Sequence, residues 1–134
     1  MELDEALHQR IRGSGLIHFD GKREVALDRN SGKVVIVDSF GNADEDRYVI
    51  KESYNKGHIV EMSKELFGRH YRDIGYYSTL LEARRAGEPD RHLPKLPREV
   101  VEIGTNTYIE TYERLTGKRF NPDSHKELGW VARE

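Results

Sequence analysis

A chain of 134 residues, 36% hydrophobic and 34% charged, is long enough for one domain with a real core and carries a very polar surface. A net charge of −2 gives no global drive toward nucleic acid or an anionic membrane. The absence of cysteine excludes disulfides and thiolate chemistry and fits a reducing cytoplasm; no apolar run reaches membrane length, and the early acids do not read as a signal peptide.

In residues 2–11, Leu3, Leu7 and Ile11 fall at helical spacing with acids in the first turn. This predicts a helix, which Gly13-Ser14-Gly15 ends. Those residues do not form a phosphate loop, because no strand precedes them and no Lys-Ser/Thr pair follows. Leu16 to Phe19 reads as a short strand, with His18 a half-exposed strand residue. Asp20-Gly21 either turns the chain or lets it run on.

Residues 23–27 and 33–37 are rich in apolar and β-branched residues, and turn formers separate them, which predicts a β-hairpin. A three-residue loop over 30–32 puts Gly32 at the left-handed position. In that register paired positions sum to 62, so Glu24 faces Asp38 and Lys22 lies two residues along on the same face. Facing carboxylates repel, and a divalent cation such as Mg²⁺ would compensate them. The plainer alternative is a solvated sheet face on which Lys22 pairs the acids. A register shift of one residue would put the carboxylates on opposite faces.

The loop 39–47 gathers acids around Arg47; it reads either as a solvated turn whose arginine is held by its neighbours or as a site, the arginine being of the phosphate-binding type. Residues 48–60 read as irregular, with a turn at Asn55-Lys56-Gly57. Ser63 caps a helix whose apolar face is Leu66, Phe67, His70, Tyr71 and Ile74, and Gly75 ends it. A second short helix runs from Leu80 to Ala86. The connection 87–97 is broken by prolines; it is locally basic, but without interleaved aromatics it reads as solvated surface. A long helix follows from Pro97 to Leu115, weakened in the middle by Gly104 and ended by Gly117. Residues 121–134 form a tail, with Asp123 or Ser124 as a cap and Trp130 expected to pack back on the body. The fold class is therefore α+β: a small antiparallel sheet built on the hairpin 22–38 with helices on one side, in one domain over 1–120 followed by the tail.

Several segments resemble, in order, the C-terminal half of the SAICAR synthetase family, the phosphoribosylaminoimidazole-succinocarboxamide synthases. They are Asp20-Gly21-Lys22, Arg23-Glu24-Val25-Ala26, Val34-Val35-Ile36-Val37-Asp38-Ser39, and Ala43-Asp44-Glu45-Asp46-Arg47. The ending Leu96-Pro97 with Tyr108-Ile109-Glu110-Thr111-Tyr112-Glu113-Arg114-Leu115-Thr116-Gly117-Lys118-Arg119-Phe120 is close to that family's L-P…Y-I-E-A-Y-E-R-L-T-G-K-K-F. Ser39 stands where the family has Glu, and Glu45-Asp46 where it has two serines; Asp20-Gly21-Lys22 and Ala43-Asp44-Glu45-Asp46-Arg47 look like a variant associated with archaeal-type members. The matches cover most of residues 15–120.

The resemblance implies a purine-biosynthesis ligase that joins L-aspartate to carboxyaminoimidazole ribotide with ATP, through a carboxyl phosphate. It implies that Glu24 and Asp38 hold Mg²⁺ against the ATP phosphates and that Lys22 neutralises charge at the reacting carboxylate. Asp44 would shape the loop, and Arg47 would grip the ribotide 5′-phosphate. No equivalent of the family's ATP-binding half, with its glycine-rich loop and phosphate-contacting lysine, is found in this sequence. The implied partner is a chain carrying that half, or a further copy in a homo-oligomer; no nucleic-acid or membrane partner is implied, and the setting is cytoplasmic. The alternative is a non-catalytic remnant that binds a phosphorylated metabolite or another protein.

Overall fold

Leu7 and Ile11, one helical turn apart, are both buried, and they set the position of the first helix. The computed structural model describes residues 2–123. Helix α1 (Glu2–Arg10) lays this stripe against Leu16, Tyr48 and Met62 to make the core, which Ile50 and Leu115 border. Left-handed Gly13 and Gly15 turn the chain from α1 into strand β1 (Leu16–Gly21), which runs straight through Asp20-Gly21.

Strand β1 pairs antiparallel with β4 (Asp46–Ile50), and β4 pairs antiparallel with β5 (Glu61–Met62). Strand β4 is thus the centre of a three-stranded sheet. This corrects the expectation of irregular chain after residue 47. Tyr48-Val49-Ile50 is too short to show a period, and both its partners lie far from it in sequence. A short helix α2 (Lys51–Asn55) follows it, and Gly57 turns the chain at the expected place.

The hairpin β2 (Val25–Leu27) and β3 (Val34–Ile36) forms a separate two-stranded sheet. Helices α3 (Glu65–Asp73), α4 (Tyr76–Arg85) and α5 (Arg98–Thr116) complete an α+β architecture. The N-cap of α3 is Lys64 rather than Ser63, whose hydroxyl one residue earlier accepts the Glu65 N–H (3.2 Å). Helix α4 begins at Tyr76 rather than Leu80, directly after left-handed Gly75.

Gly104 has a packing reason in the middle of α5. A Cβ there would lie 2.2 Å from the Phe67 ring, so the missing side chain lets α3 and α5 approach. Pro97 and left-handed Gly117 flank α5 as expected. The tail beyond residue 123, with Ser124 and Trp130, lies outside the described residues.

Candidate functional site

The hairpin register differs by one residue from the expected one. Val25 faces Ile36, Ala26 faces Val35 and Leu27 faces Val34. The cause lies in the turn. The Asp28 carboxylate accepts the N–H groups of Asn30 (3.1 Å) and Ser31 (3.3 Å) and the Ser31 hydroxyl. The Asp28 N–H donates to the Lys33 carbonyl (2.8 Å), and the Gly32 N–H donates back to the Asp28 carbonyl (2.8 Å). The loop is therefore Arg29 to Gly32, one residue longer than expected, with Gly32 still left-handed at φ 68°.

Glu24 consequently lies against Val37, whose N–H donates to the Glu24 carbonyl (3.1 Å), and not opposite Asp38. The facing-carboxylate argument for a metal falls with that register. Lys22 forms an ion pair with Glu24 instead, on a face where both are solvated. That pair, with Glu45 and Asp38 adding to the field, raises the Lys22 pKa. Among the described residues no group of three or more acidic or histidine side chains converges on a metal position. Glu24 and Asp38 still fit Mg²⁺ in donor chemistry, because this ion commonly takes one or two carboxylates together with substrate phosphates.

Lys22, Asp44 and Arg47 do come together. They line one cleft of about 380 Å³ with Asp20, Ser63 and Lys64. The Lys22 N–H donates to the Glu45 carbonyl (2.9 Å), which ties the end of β1 to the acidic loop. The Tyr108 hydroxyl of α5 donates to Asp44 (2.7 Å) and holds the loop from the other side. Burial and the Asp44 carboxylate both push the Tyr108 phenol up.

Arg47 is held by Asp20 across the strands, through Nε at 2.6 Å and a second bond from Nη2. A β-bulge at Phe19 makes this pair: His18 faces Tyr48, yet Asp20 faces Arg47. An unbroken register would have put Asp20 opposite Asp46. Arg47 lowers the Asp20 pKa through their hydrogen bond, and Asp20 in turn keeps Arg47 charged.

Of the loop acids, Asp44 and Glu45 share the cleft with Arg47, and Glu45 lies 3.8 Å from Lys64 Nζ. Asp46 turns inward with its carboxylate fully buried, 2.7 Å from His18 Nε2 and 2.7 Å from Arg23 Nη2, and it accepts the Gly41 N–H. Gly21 makes the room: a Cβ there would stand 2.0 Å from Asp46 Oδ1. His18 is therefore nearly enclosed rather than half-exposed. The inward charge cluster Arg23–Asp46–His18 does not show in the sequence, where the one signal is a glycine, Gly21, that faces an acid, Asp46, across a strand pairing the local pattern does not reveal. A larger hollow of about 660 Å³ lies along α5 against Phe67, Tyr112 and Phe120, and none of the five expected site residues lines it.

No family model matches the chain. It is 43% identical over 120 residues to the phosphoribosylaminoimidazole-succinocarboxamide synthase of Thermoplasma acidophilum, which takes in 90% of this chain and 40% of that protein. It is 40% identical over 119 residues to the synthase of the same name from Thermoplasma volcanium, over 89% of this chain and 40% of that protein. A solved structure titled SAICAR synthase shares the fold at a TM-score of 0.61 and 24% identity, over 90% of this chain and 37% of the other. The chain thus spans about 40% of the length of these curated relatives. Over 90% of its own length it is related to the SAICAR synthetases, and its counterpart within them is their C-terminal half.

Proposed function

We propose that this chain supplies the C-terminal half of an active site that joins L-aspartate to carboxyaminoimidazole ribotide at the expense of ATP. It would work with a separate ATP-binding part, for which the segment of the relatives outside the match is the candidate. The observation that supports this most is the shared cleft of Lys22, Asp44 and Arg47 in a chain 43% identical to a synthase of that name.

In this proposal the ribotide carboxylate takes the γ-phosphoryl group of ATP. ADP leaves; the aspartate amine, as the free base, then attacks the acyl carbon, gives up a proton, and inorganic phosphate leaves as the amide forms. Such chemistry needs positioning and charge neutralisation more than protein nucleophiles. Arg47 would meet the ribotide 5′-phosphate. Asp20 engages Nε and Nη2 and so orients the guanidinium, while the Nη1 hydrogens stay free of that bond and can donate to a phosphate oxygen. Lys22, kept protonated by its acidic neighbours, would offset the charge at the reacting carboxylate. Asp44, held by Tyr108, would fix the loop between them. Glu24 and Asp38 would hold Mg²⁺, which when bound neutralises nucleotide phosphate charge.

The test is product formation from carboxyaminoimidazole ribotide, aspartate and Mg·ATP. The chain alone is expected to give none. Adding the part of the Thermoplasma acidophilum synthase that lies outside the match, expressed separately, is expected to restore turnover. Arg47→Ala should then raise the ribotide KM by about tenfold or more, the loss of one charge-assisted phosphate contact. Turnover by the chain alone would overturn the half-site proposal. Silence with the added part would favour the non-catalytic alternative.

A further inference from the structure

The hairpin is apolar on a face that nothing in the described structure covers. Val25, Leu27, Val34 and Ile36 share that face in the observed register, and Val34 is 69% exposed. The other face carries Ala26, Val35 and Val37 beside Glu24, and Val37 is 58% exposed. Four consecutive apolar positions, Val34 to Val37, make the pattern of a strand covered on both sides; a half-solvated strand would alternate. A two-stranded hairpin alone is marginal in water.

We propose that the hairpin 24–37 is the docking element for the polypeptide that the relatives carry outside the match, and that this polypeptide encloses both hairpin faces. The identity of that occupant rests on the half-site proposal above; the unpartnered hairpin does not. The larger part of each Thermoplasma relative lies outside the match, so enough chain exists to cover two faces. A second copy is the weaker occupant. One such face offers roughly 400 Å² of apolar surface, against about 800 Å² per partner in stable interfaces, and self-pairing would leave the opposite face bare. Docking here also brings the newcomer to Lys22 and Glu24, which pair at the root of the hairpin beside the cleft.

The chain has no cysteine, so one introduced thiol reports a single position. Val34→Cys places it on the apolar face, and Lys56→Cys, in the turn after α2, is the control. Maleimide labelling of each variant would be followed in the chain alone at rising concentration, with the separately expressed outside part of the Thermoplasma acidophilum synthase, and with that part fused ahead of Met1. Labelling at Val34→Cys should slow by about tenfold or more with the added part or in the fusion, and Lys56→Cys should not change. Unchanged labelling in both the mixture and the folded fusion would overturn the docking proposal. If turnover appears there while Val34→Cys stays open, docking lies elsewhere and the ligase proposal survives. If labelling slows without turnover, docking stands and the ligase proposal fails. Slowing by the chain's own concentration alone would assign the face to a second copy and overturn the proposal.

Discussion

Two strands of nearly the same composition meet opposite fates in this molecule. Tyr48-Val49-Ile50 in β4 lies between β1 and β5 under α1, with Tyr48 0% and Val49 2% exposed. Among the described residues Val34-Val35-Ile36 in β3 has one partner strand and no covering element, and Val35 and Ile36 are 42% and 43% exposed. Apolar strand character therefore does not determine burial; the number of neighbours does. The sheet around β4 is complete within the described residues, whereas the hairpin presents a surface still to be covered. The charged groups divide the same way. Asp46 is sealed between His18 and Arg23, while Glu24 and Asp38 stand in solvent at the hairpin.

The sharpest break of this comparison is Asp46→Ala. It leaves Arg23 and His18 facing an apolar gap and should cost about 3–5 kcal/mol in denaturant unfolding, the penalty for removing one partner of a buried charge pair. Asp38→Asn, measured in the same way, should change stability by less than about 0.5 kcal/mol. Gly104→Ala comes next. Its Cβ meets the Phe67 ring and should cost about 1–3 kcal/mol, much of it recovered when Phe67→Leu is added. Additive losses in the double variant would contradict the contact.

Leu27→Lys with Ile36→Lys should leave the melting of the isolated chain within about 1 kcal/mol of the parent, because both side chains are already solvated. A loss of several kcal/mol would mean that the face is covered after all. The smallest effect is at Asp20. Its carboxyl titrates below the ordinary aspartate value because Arg47 donates to the charged form. The pair therefore adds stability above the unfolded aspartate value, and that stability is lost as pH falls through the lower folded value. For so exposed a pair solvent screening keeps that contribution small. Carboxyl NMR should show Asp20 moving up toward the ordinary range in Arg47→Ala; no movement would contradict the assignment.

Much of this could be read from the residues. The helical stripe of Leu7 and Ile11 is buried as its spacing demands, and Gly75 and Gly117 end helices where they should. The hairpin exists, with Gly32 left-handed. Its register escaped because two turns compete there: Asn30-Ser31-Gly32 suits a three-residue loop, but the Asp28 carboxylate captures the following N–H groups and adds one residue. That single residue removes the facing carboxylates. Strand β4 escaped because its partners are far away in sequence, and with it went the inward turn of Asp46. Lys22 entered beside the hairpin carboxylates, Arg47 as a phosphate-type arginine among acids and Asp44 on the family resemblance alone, and the fold gathers them around one cleft. Asp20 escaped as the partner of Arg47 because a bulge at Phe19, which no local pattern announced, re-aims it.

The most direct measurement is native-state amide hydrogen exchange on the chain alone. If the β4 sheet is complete and the hairpin is not, the amides of Tyr48 and Val49 should open only with global unfolding. The β2–β3 amides should then exchange through local opening several kcal/mol cheaper. Equal opening free energies in the two sheets would contradict the account, because the hairpin would then be as firmly held as the core.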